Sequence, residues 1–219
     1  MYRPVPFRRE RLGSDEALRR SRDFLARMQA RRSVRMFSSE PVPPELVANA
    51  LRVAGTAPSG AHQQPWTFVV VTDPDLKVRL REAAEKEERE FYERRASSEW
   101  LEAVALIGTD FVKSHITDAP IVIVVFEQVW RPGVDGAKVK HYYVRESVGI
   151  AVGFLLAALE AAGLCALTHT PSPMGFLREL LDRPKNERAF ALIPVGYPAD
   201  DAVVPDLERK PLEEIAIFR

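Results

Sequence analysis

Three arginines, one serine and one valine form the densest cationic segment of the sequence, Arg31-Arg32-Ser33-Val34-Arg35. Three guanidinium groups and a hydroxyl at such close spacing suit a phosphate group, because arginine presents paired N–H donors to phosphate oxygens. Cations are equally favoured at the end of a helix, where the helix dipole is negative. The segment by itself therefore leaves two interpretations open, a phosphate site and a solvated helix end.

A loop of small residues, Pro58-Ser59-Gly60-Ala61-His62, is a second candidate site. Small side chains let a flat ligand approach the backbone closely. The alternative is a serine hydrolase with Ser59 and His62 in the catalytic roles. The sequence disfavours it, because the Gly-x-Ser-x-Gly elbow is missing and His62 has no evident acidic partner.

A third candidate is the segment Thr168-His169-Thr170, which closes an apolar stretch. Its two threonine hydroxyls stand two residues apart, in a position where strands often meet a ligand. An ordinary turn at the end of a strand is the competing interpretation.

Composition and charge exclude several classes of protein. Lysine plus arginine and aspartate plus glutamate both number 31, so no net charge attracts nucleic acid or an anionic membrane. The N-terminal arginines precede no apolar run, and Glu160 interrupts the most apolar stretch, so neither a secretory signal nor a membrane span is expected.

The single cysteine, Cys165, forms no disulfide framework, which indicates the reducing cytoplasm. No metal ion is expected either, because metal-site spacing is missing among the histidines, His62, His115, His141 and His169.

The elements that must position these segments are those of a mixed α/β chain. Helices are predicted at 14–31, from Pro43 onward, from Asp73 through the charged stretch 77–95, at 146–162 and at 175–181. Strands are predicted at 66–71, 121–126, 164–168 and 190–195, with a loop at 130–137. Ser14 is expected to cap the first helix, and Gly163 to follow the end of the helix at 146–162.

The predicted helix at 146–162 is apolar on nearly all sides, which is typical of a helix that is buried all round. A chain of 219 residues offers little interior of its own for such a helix. We therefore expect a second subunit to cover it, and the protein to be a homodimer.

Taken together, these segments resemble the FMN-dependent nitroreductase superfamily. The resemblance runs over about residues 30–215 and rests on the arginine segment, on 57–62 with Pro65-Trp66, and on Pro194-Val195-Gly196-Tyr197-Pro198. Within the superfamily the chain resembles the branch that removes halogen from halogenated tyrosines. That closer resemblance rests on 139–143, on Val204-Pro205-Asp206-Leu207 and on Arg209-Lys210-Pro211.

The most specific part of the resemblance is a substrate-binding trio. The dehalogenating branch has a glutamate, a tyrosine four residues later and a lysine twenty-one residues further on. Glu88, Tyr92 and Lys113 match this pattern, and Trp100 between them keeps the two sequences in the same alignment register. By themselves, Glu88 and Tyr92 only share one face of a charged helix, where solvated surface is the ordinary expectation. The resemblance replaces that expectation with a role in substrate recognition.

The resemblance implies an α+β nitroreductase-like fold, in which a central, mainly antiparallel sheet is flanked by helices in an intertwined homodimer with FMN at the subunit interface. Residues 1–30 would form an N-terminal arm and helix, and residues 31–219 the FMN domain, with a substrate lid over about residues 77–117. FMN would contact eleven positions: Arg31, Arg32, Ser33, Val34, Arg35, Ser59, Gly60, Thr168, His169, Thr170 and Arg209.

The resemblance also implies a reaction. A halogenated tyrosine would lie over the flavin, with Glu88 accepting from its ammonium group while Tyr92 and Lys113 hold its carboxylate. The backbone N–H of Ala61 would hold the phenolate oxygen, and the Thr170 hydroxyl would donate to the flavin N5 and favour single-electron transfer. Tyrosine and halide would be the products, and NAD(P)H, directly or through a reductase, would restore the flavin.

Two other functions stay open from the sequence. One is a broad-specificity, NAD(P)H-dependent FMN nitroreductase or flavin oxidoreductase, and the other is a flavin- or amino-acid-binding protein without turnover. The chain also departs from the dehalogenating branch at His169, where threonine is expected, and in a loop after Pro171 that is one residue shorter. Both departures bear on the flavin potential and on the fit of the lid, and they leave the trio intact.

Overall fold

The computed structural model describes residues 2–219, and the chain divides into two compact units. The first unit ends at Arg31 and contains helix α1 (Ser14–Ala30), whereas the second spans Arg32–Arg219 and contains the remaining helices and strands. The predicted serine cap of α1 is wrong, because Ser14 is already helical and Gly13 occupies the capping position without a side-chain hydrogen bond.

The second unit is built around an antiparallel sheet of four strands in the order β1-β2-β6-β5, namely β1 (Trp66–Val71), β2 (Ile121–Gln128), β5 (Cys165–Ala166) and β6 (Glu187–Gly196). A separate hairpin pairs β3 (Trp130–Pro132) with β4 (Lys138–Lys140). All four predicted strands are present, although β2 and β6 are longer than predicted and β5 is shorter. The loop predicted at 130–137 is wrong where the chain forms strand β3. The Gly133 N–H donates to the Ala137 carbonyl at 2.7 Å and closes the hairpin.

Strand β2 lies in the middle of the core and is buried on both faces. Its residues alternate between two apolar clusters, with Ile121, Ile123 and Val125 on one side and Val122, Val124 and Phe126 on the other. Helices α2 (Pro44–Gly55) and α6 (Val144–Ala161) cover the first side, and α3 (Pro74–Glu90) and α7 (Gly175–Leu180) cover the second. Burial on both faces explains why this strand is a continuous apolar run in the sequence.

The charged helix of the sequence consists of two pieces. The Asp73 carboxylate accepts from the Leu76 N–H at 2.7 Å and caps α3, as the Asp-Pro signal predicts. The α-helical part ends at Glu90 and continues as a π-helical turn at Phe91–Arg95, so the segment is helical through 95 as predicted but changes its type of helix. Three shorter α-helices and one 3₁₀ helix complete the fold, namely α4 (Ser98–Ala105), α5 (His115–Asp118), α8 (Leu212–Ile215) and the 3₁₀ helix at Gly60–His62.

Helix α6 is buried along one face and open along the other within this single chain. Ile150 and Phe154 are 42% and 39% exposed, and the glycines Gly149 and Gly153 lie beside them on the same open face. Burial all round is therefore not achieved inside one copy of the chain, and the homodimer stays a prediction.

Among residues 2–219, no helix is both long enough and apolar enough to cross a membrane.

Candidate active site

Glu88, Lys113 and His169 meet in a buried cluster on the side of the sheet that α3 covers. The Lys113 Nζ lies 3.4 Å from Glu88 Oε2, and the His169 Nε2 lies 3.3 Å from Glu88 Oε1. All three side chains are about 90% buried or more. Two members of the predicted trio are thus in direct contact, and each oxygen of the Glu88 carboxylate faces its own nitrogen partner.

Tyr92, the third member of the trio, lies in the π-helical turn next to this cluster. Its ring centroid is 5.7 Å from the Lys113 Nζ, and its hydroxyl donates to the Thr109 carbonyl at 3.4 Å. Phe91 and Trp100 pack edge-on around it, with the Tyr92 and Trp100 ring centroids 5.2 Å apart. Burial and the nearby Glu88 charge raise the pKa of Tyr92, so its hydroxyl keeps its proton and remains a donor.

The electrostatics of the cluster favour an ionised glutamate. Burial alone raises the pKa of Glu88, but the hydrogen bond from His169 and the ammonium charge of Lys113 outweigh burial and hold this pKa below its usual value. Burial lowers the pKa of His169, so its imidazole is neutral near pH 7. The resident charges at the cluster are therefore one carboxylate and one ammonium group.

His115, the first residue of α5, lies next to the cluster. Its ring packs edge-to-face on His169 with centroids 5.2 Å apart, and its Nε2 is buried without a hydrogen-bond partner in the described chain. Burial, followed by the positive charges of its neighbours, lowers the pKa of His115 to about 3. The folded protein therefore keeps this imidazole neutral under all but strongly acidic conditions.

The buried His115 predicts a loss of stability on acidification. The unfolded chain takes up a proton at His115 below about pH 6.5, whereas the folded chain does so only near pH 3, so the free energy of unfolding falls as the pH drops between these values. From pH 7.5 to pH 5.0 this single residue is expected to cost about 2 kcal/mol. Urea unfolding of the wild type and His115→Phe at both pH values measures it. An equal loss in the two proteins would contradict the assignment.

The threonine segment presents its hydroxyls on one side and its histidine on the other. Thr168 and Thr170 are exposed, and His169 between them is buried. The backbone of His169 is fixed to β6, because its N–H donates to the Leu192 carbonyl at 2.9 Å and its carbonyl accepts from the Leu192 N–H at 2.8 Å. The segment thus offers two hydroxyls to a ligand outside while its imidazole contacts Glu88 inside.

The arginine segment crosses the boundary between the two units. Arg31 ends the first unit, where its N–H donates to the Arg27 carbonyl at 3.2 Å. In the second unit Ser33 is exposed, whereas Val34 is buried in the core and its N–H donates to the Ala166 carbonyl at 3.3 Å. Val34 therefore has only its carbonyl group left for a cofactor.

Two further arginines of the segment, Arg32 and Arg35, belong to the second unit and differ in their surroundings. The Arg32 guanidinium donates to the Pro205 carbonyl in the C-terminal segment that also carries Arg209. Arg35 is partly buried, and its Nε has no hydrogen-bond partner in the described chain. Burial lowers the pKa of Arg35, and the charge of Tyr92 acts in the opposite direction.

The loop with Ser59, Gly60 and Ala61 is held by a hydrogen bond to α6 and by one within the loop. The Gly60 N–H donates to Ser147 Oγ at the start of α6 at 3.3 Å, and the Ser59 hydroxyl accepts from the Gln64 N–H at 2.9 Å. Ala61 has a φ of 48°, in the left-handed region. Within residues 2–219, no hydrogen bond or ion pair joins this loop to the Glu88 cluster.

Sequence reasoning missed the contact of His169 with Glu88 and the contact of His115 with His169. The alternation of an extended segment places His169 opposite Thr168 and Thr170, which is a signal in the sequence. Nothing in the sequence shows that Glu88 and His115 lie on that opposite side, because both contacts depend on how α3 and α5 pack on the sheet.

Comparisons with known proteins find both similar sequences and similar folds. The model of the Nitroreductase family matches residues 28–197. An iodotyrosine deiodinase of Haliscomenobacter hydrossis is 54% identical over 94% of this chain and 93% of its own length, and iodotyrosine deiodinase 1 of Homo sapiens is 46% identical over 97% and 74%. A crystal structure of oxidized iodotyrosine deiodinase bound to FMN and 3-iodo-L-tyrosine, 33% identical, superposes with a TM-score of 0.76 over 90% of this chain and 97% of the other. A BluB-like flavoprotein of Clostridium difficile, at 21% identity and a TM-score of 0.70 over 89% of this chain and 98% of its own, shares the fold.

Proposed function

Since this chain belongs to the nitroreductase family, we propose that it is an FMN-dependent enzyme that removes halogen from halogenated tyrosines. The observation that carries the proposal is the buried pair of Glu88 and Lys113, 3.4 Å apart, with the Tyr92 ring beside it. A free amino acid carries an ammonium and a carboxylate group, and this pair offers the opposite charge to each. The iodotyrosine deiodinases that this chain resembles over nearly its whole length support the same substrate class.

The residues of the chain fit FMN. Arg35 has a buried Nε without a partner, which suits the polar edge of a flavin ring, and the exposed hydroxyls of Thr168 and Thr170 suit hydrogen bonds to the ring. Arg32, Ser33 and Arg209 are the proposed phosphate ligands, and Ser59 and Gly60 are the proposed contacts along the ring. His169 is turned toward Glu88, so we assign the flavin contacts of its segment to the two threonines.

In the proposed mechanism the protein orients the substrate and controls its charges. Glu88 accepts from the substrate ammonium group, and Lys113 with the protonated Tyr92 holds the substrate carboxylate. The Ala61 N–H binds the phenolate oxygen, and Thr170 provides the hydroxyl donor next to the cofactor. FMN, when bound, supplies the electrons. Two electrons and one proton replace the carbon–halogen bond by carbon–hydrogen, which gives tyrosine and a halide ion.

The proposal includes a homodimer, because α6 leaves an apolar stripe open in the single chain. The Ser59–Ala61 loop and the Glu88 cluster share no hydrogen bond within residues 2–219, and α6 leaves Ile150 and Phe154 open beside its two glycines. A second copy that packs on α6 would cover this apolar stripe. NAD(P)H, used directly or through a reductase, is the proposed source of electrons, and the cytoplasm, which holds it, is the proposed location.

An anaerobic single turnover tests the function. The FMN-loaded protein is reduced with dithionite and mixed with 3-iodotyrosine, and the flavin spectrum is followed while tyrosine and iodide are assayed. We expect oxidised flavin, tyrosine and iodide to form in equal amounts, because each carbon–iodine bond takes two electrons. Tyrosine itself, which has no halogen, serves as the control and leaves the flavin reduced. A protein that binds 3-iodotyrosine but stays reduced would overturn the proposal.

A further inference from the structure

We infer that His169 is a positioning residue for substrate recognition, which fixes the Glu88 carboxylate through the hydrogen bond between its Nε2 and Glu88 Oε1. The inference rests on the proposed function, since it concerns the carboxylate that receives the substrate ammonium group. It assigns to the chain a connection between the segment that faces the flavin and the helix that carries the substrate-binding glutamate.

The position of the His169 ring is set by the sheet. Two backbone hydrogen bonds, of 2.9 and 2.8 Å, join His169 to Leu192, which is fully buried in β6. The ring also packs against His115 at an interplanar angle of 82°. The imidazole therefore has little freedom to move, whereas Glu88 has a longer side chain on α3 that needs an external partner to hold its rotamer.

The hydrogen-bond partners define which tautomer the ring adopts. An ionised carboxylate only accepts hydrogen bonds, so the His169 Nε2 carries the hydrogen that it donates to Glu88. The Nδ1 is then a bare lone pair, and it is buried without a partner in the described chain. Protonation of Nδ1 would bury an N–H group with no acceptor, which is costly, so the neutral Nε2–H form fits the site.

Two side chains hold the Glu88 carboxylate, and of these only Lys113 has other hydrogen-bond partners to which it can turn. Lys113 contacts Oε2, and its ammonium group has two further acceptors, the Asp110 carbonyl and the Thr109 hydroxyl at 3.5 Å. Lys113 can thus turn to the substrate carboxylate and keep hydrogen-bond partners. His169 stays on Oε1, so Glu88 remains oriented with Oε2 open to the incoming ammonium group.

The test compares variants of His169 in the FMN-loaded, oxidised protein. The dissociation constants of 3-iodotyrosine and of 2-iodophenol, which lacks the amino and carboxyl groups, are measured from the flavin fluorescence. We expect His169→Phe to weaken 3-iodotyrosine about 10- to 100-fold, as befits a hydrogen bond to a charged group, and to leave 2-iodophenol unchanged. His169→Gln places an N–H donor near the position of Nε2 and is expected to restore binding to within about 3-fold of the wild type.

Three outcomes would overturn the inference. They are an unchanged affinity of His169→Phe for 3-iodotyrosine, an equal weakening of 2-iodophenol, and a His169→Gln variant as weak as His169→Phe. If His169→Phe does not retain FMN, His169→Asn replaces it, because its amide is too short to reach Glu88, and the same expectations apply. A wild type that does not bind 3-iodotyrosine would instead contradict the proposed function, so the two failures are distinguishable.

Discussion

Replacing Glu88 by glutamine is expected to weaken the binding of 3-iodotyrosine by about 100-fold or more, because one partner of a buried charge pair is removed. The neutral amide accepts from the substrate ammonium group only as an uncharged acceptor, and it leaves Lys113, which is 3% exposed, without a compensating charge. FMN content should be retained, since Glu88 is assigned no flavin contact. Titration of the flavin fluorescence with 3-iodotyrosine measures the dissociation constant, and the absorbance of the protein-bound flavin measures its content.

Glu90 offers a matched control for this prediction. It lies two residues further along α3, it is exposed, and Glu90→Gln removes the same charge from the same helix. Its affinity for 3-iodotyrosine should be that of the wild type. If Glu88→Gln also binds 3-iodotyrosine like the wild type, the trio has no role in recognition, and the broad-specificity nitroreductase becomes the better interpretation.

Gly60→Ala is expected to destabilise the protein by about 1–3 kcal/mol, the usual cost of overpacking, and to lower its FMN content. A Cβ atom on Gly60 would lie 2.7 Å from the Tyr142 carbonyl oxygen and 2.9 Å from Tyr143 Cδ2. The first of these is a backbone atom, so the strain cannot be relieved by a side-chain rotation, and the loop with Ser59 and Ala61 must shift. Thermal unfolding and the ratio of flavin to protein absorbance measure the two effects.

Gly55→Ala is the control for the glycine substitution. A Cβ atom at Gly55, the last residue of α2, has no neighbour within 4 Å, so the same added methyl group meets open space. This variant should keep its FMN content and its stability. Full FMN content in Gly60→Ala would show that the loop does not contribute to the cofactor site.

The parts of the fold that the sequence predicts well are those with strong local signals. The run 121–126 is apolar without interruption, and it forms the central strand because both of its faces are buried. Strand β3 carries no such signal, since it has three residues, one of them proline, and pairs only with β4. The π-helical turn after Glu90 has no sequence signal either, because its residues have ordinary helical preferences. In the structure, Tyr92 of this turn packs against Trp100.

The candidate site is likewise predictable from the sequence only where the signal is local. The spacing of Glu88 and Tyr92 places them on one side of the helical segment. The contact of Lys113 with Glu88 depends on the fold of 96–112, and no periodicity in the sequence predicts that fold. The resemblance to a family predicts that both residues bind one substrate, and their direct contact is seen only in the structure. The His169 contact had no source in the sequence, because it joins residues 81 positions apart through the packing of α3 on the sheet.

The aromatic cluster around Tyr92 makes the proposed lid visible to spectroscopy. Trp100 lies 4.8 Å from Phe91 and 5.2 Å from Tyr92, measured between ring centroids, and it is 36% exposed. The other two tryptophans, Trp66 and Trp130, belong to β1 and β3 and move with the strands. A rearrangement of α4 against the π-helical turn therefore changes the surroundings of one indole alone. The protein thus carries an intrinsic fluorophore that would report any movement of the proposed lid without a label.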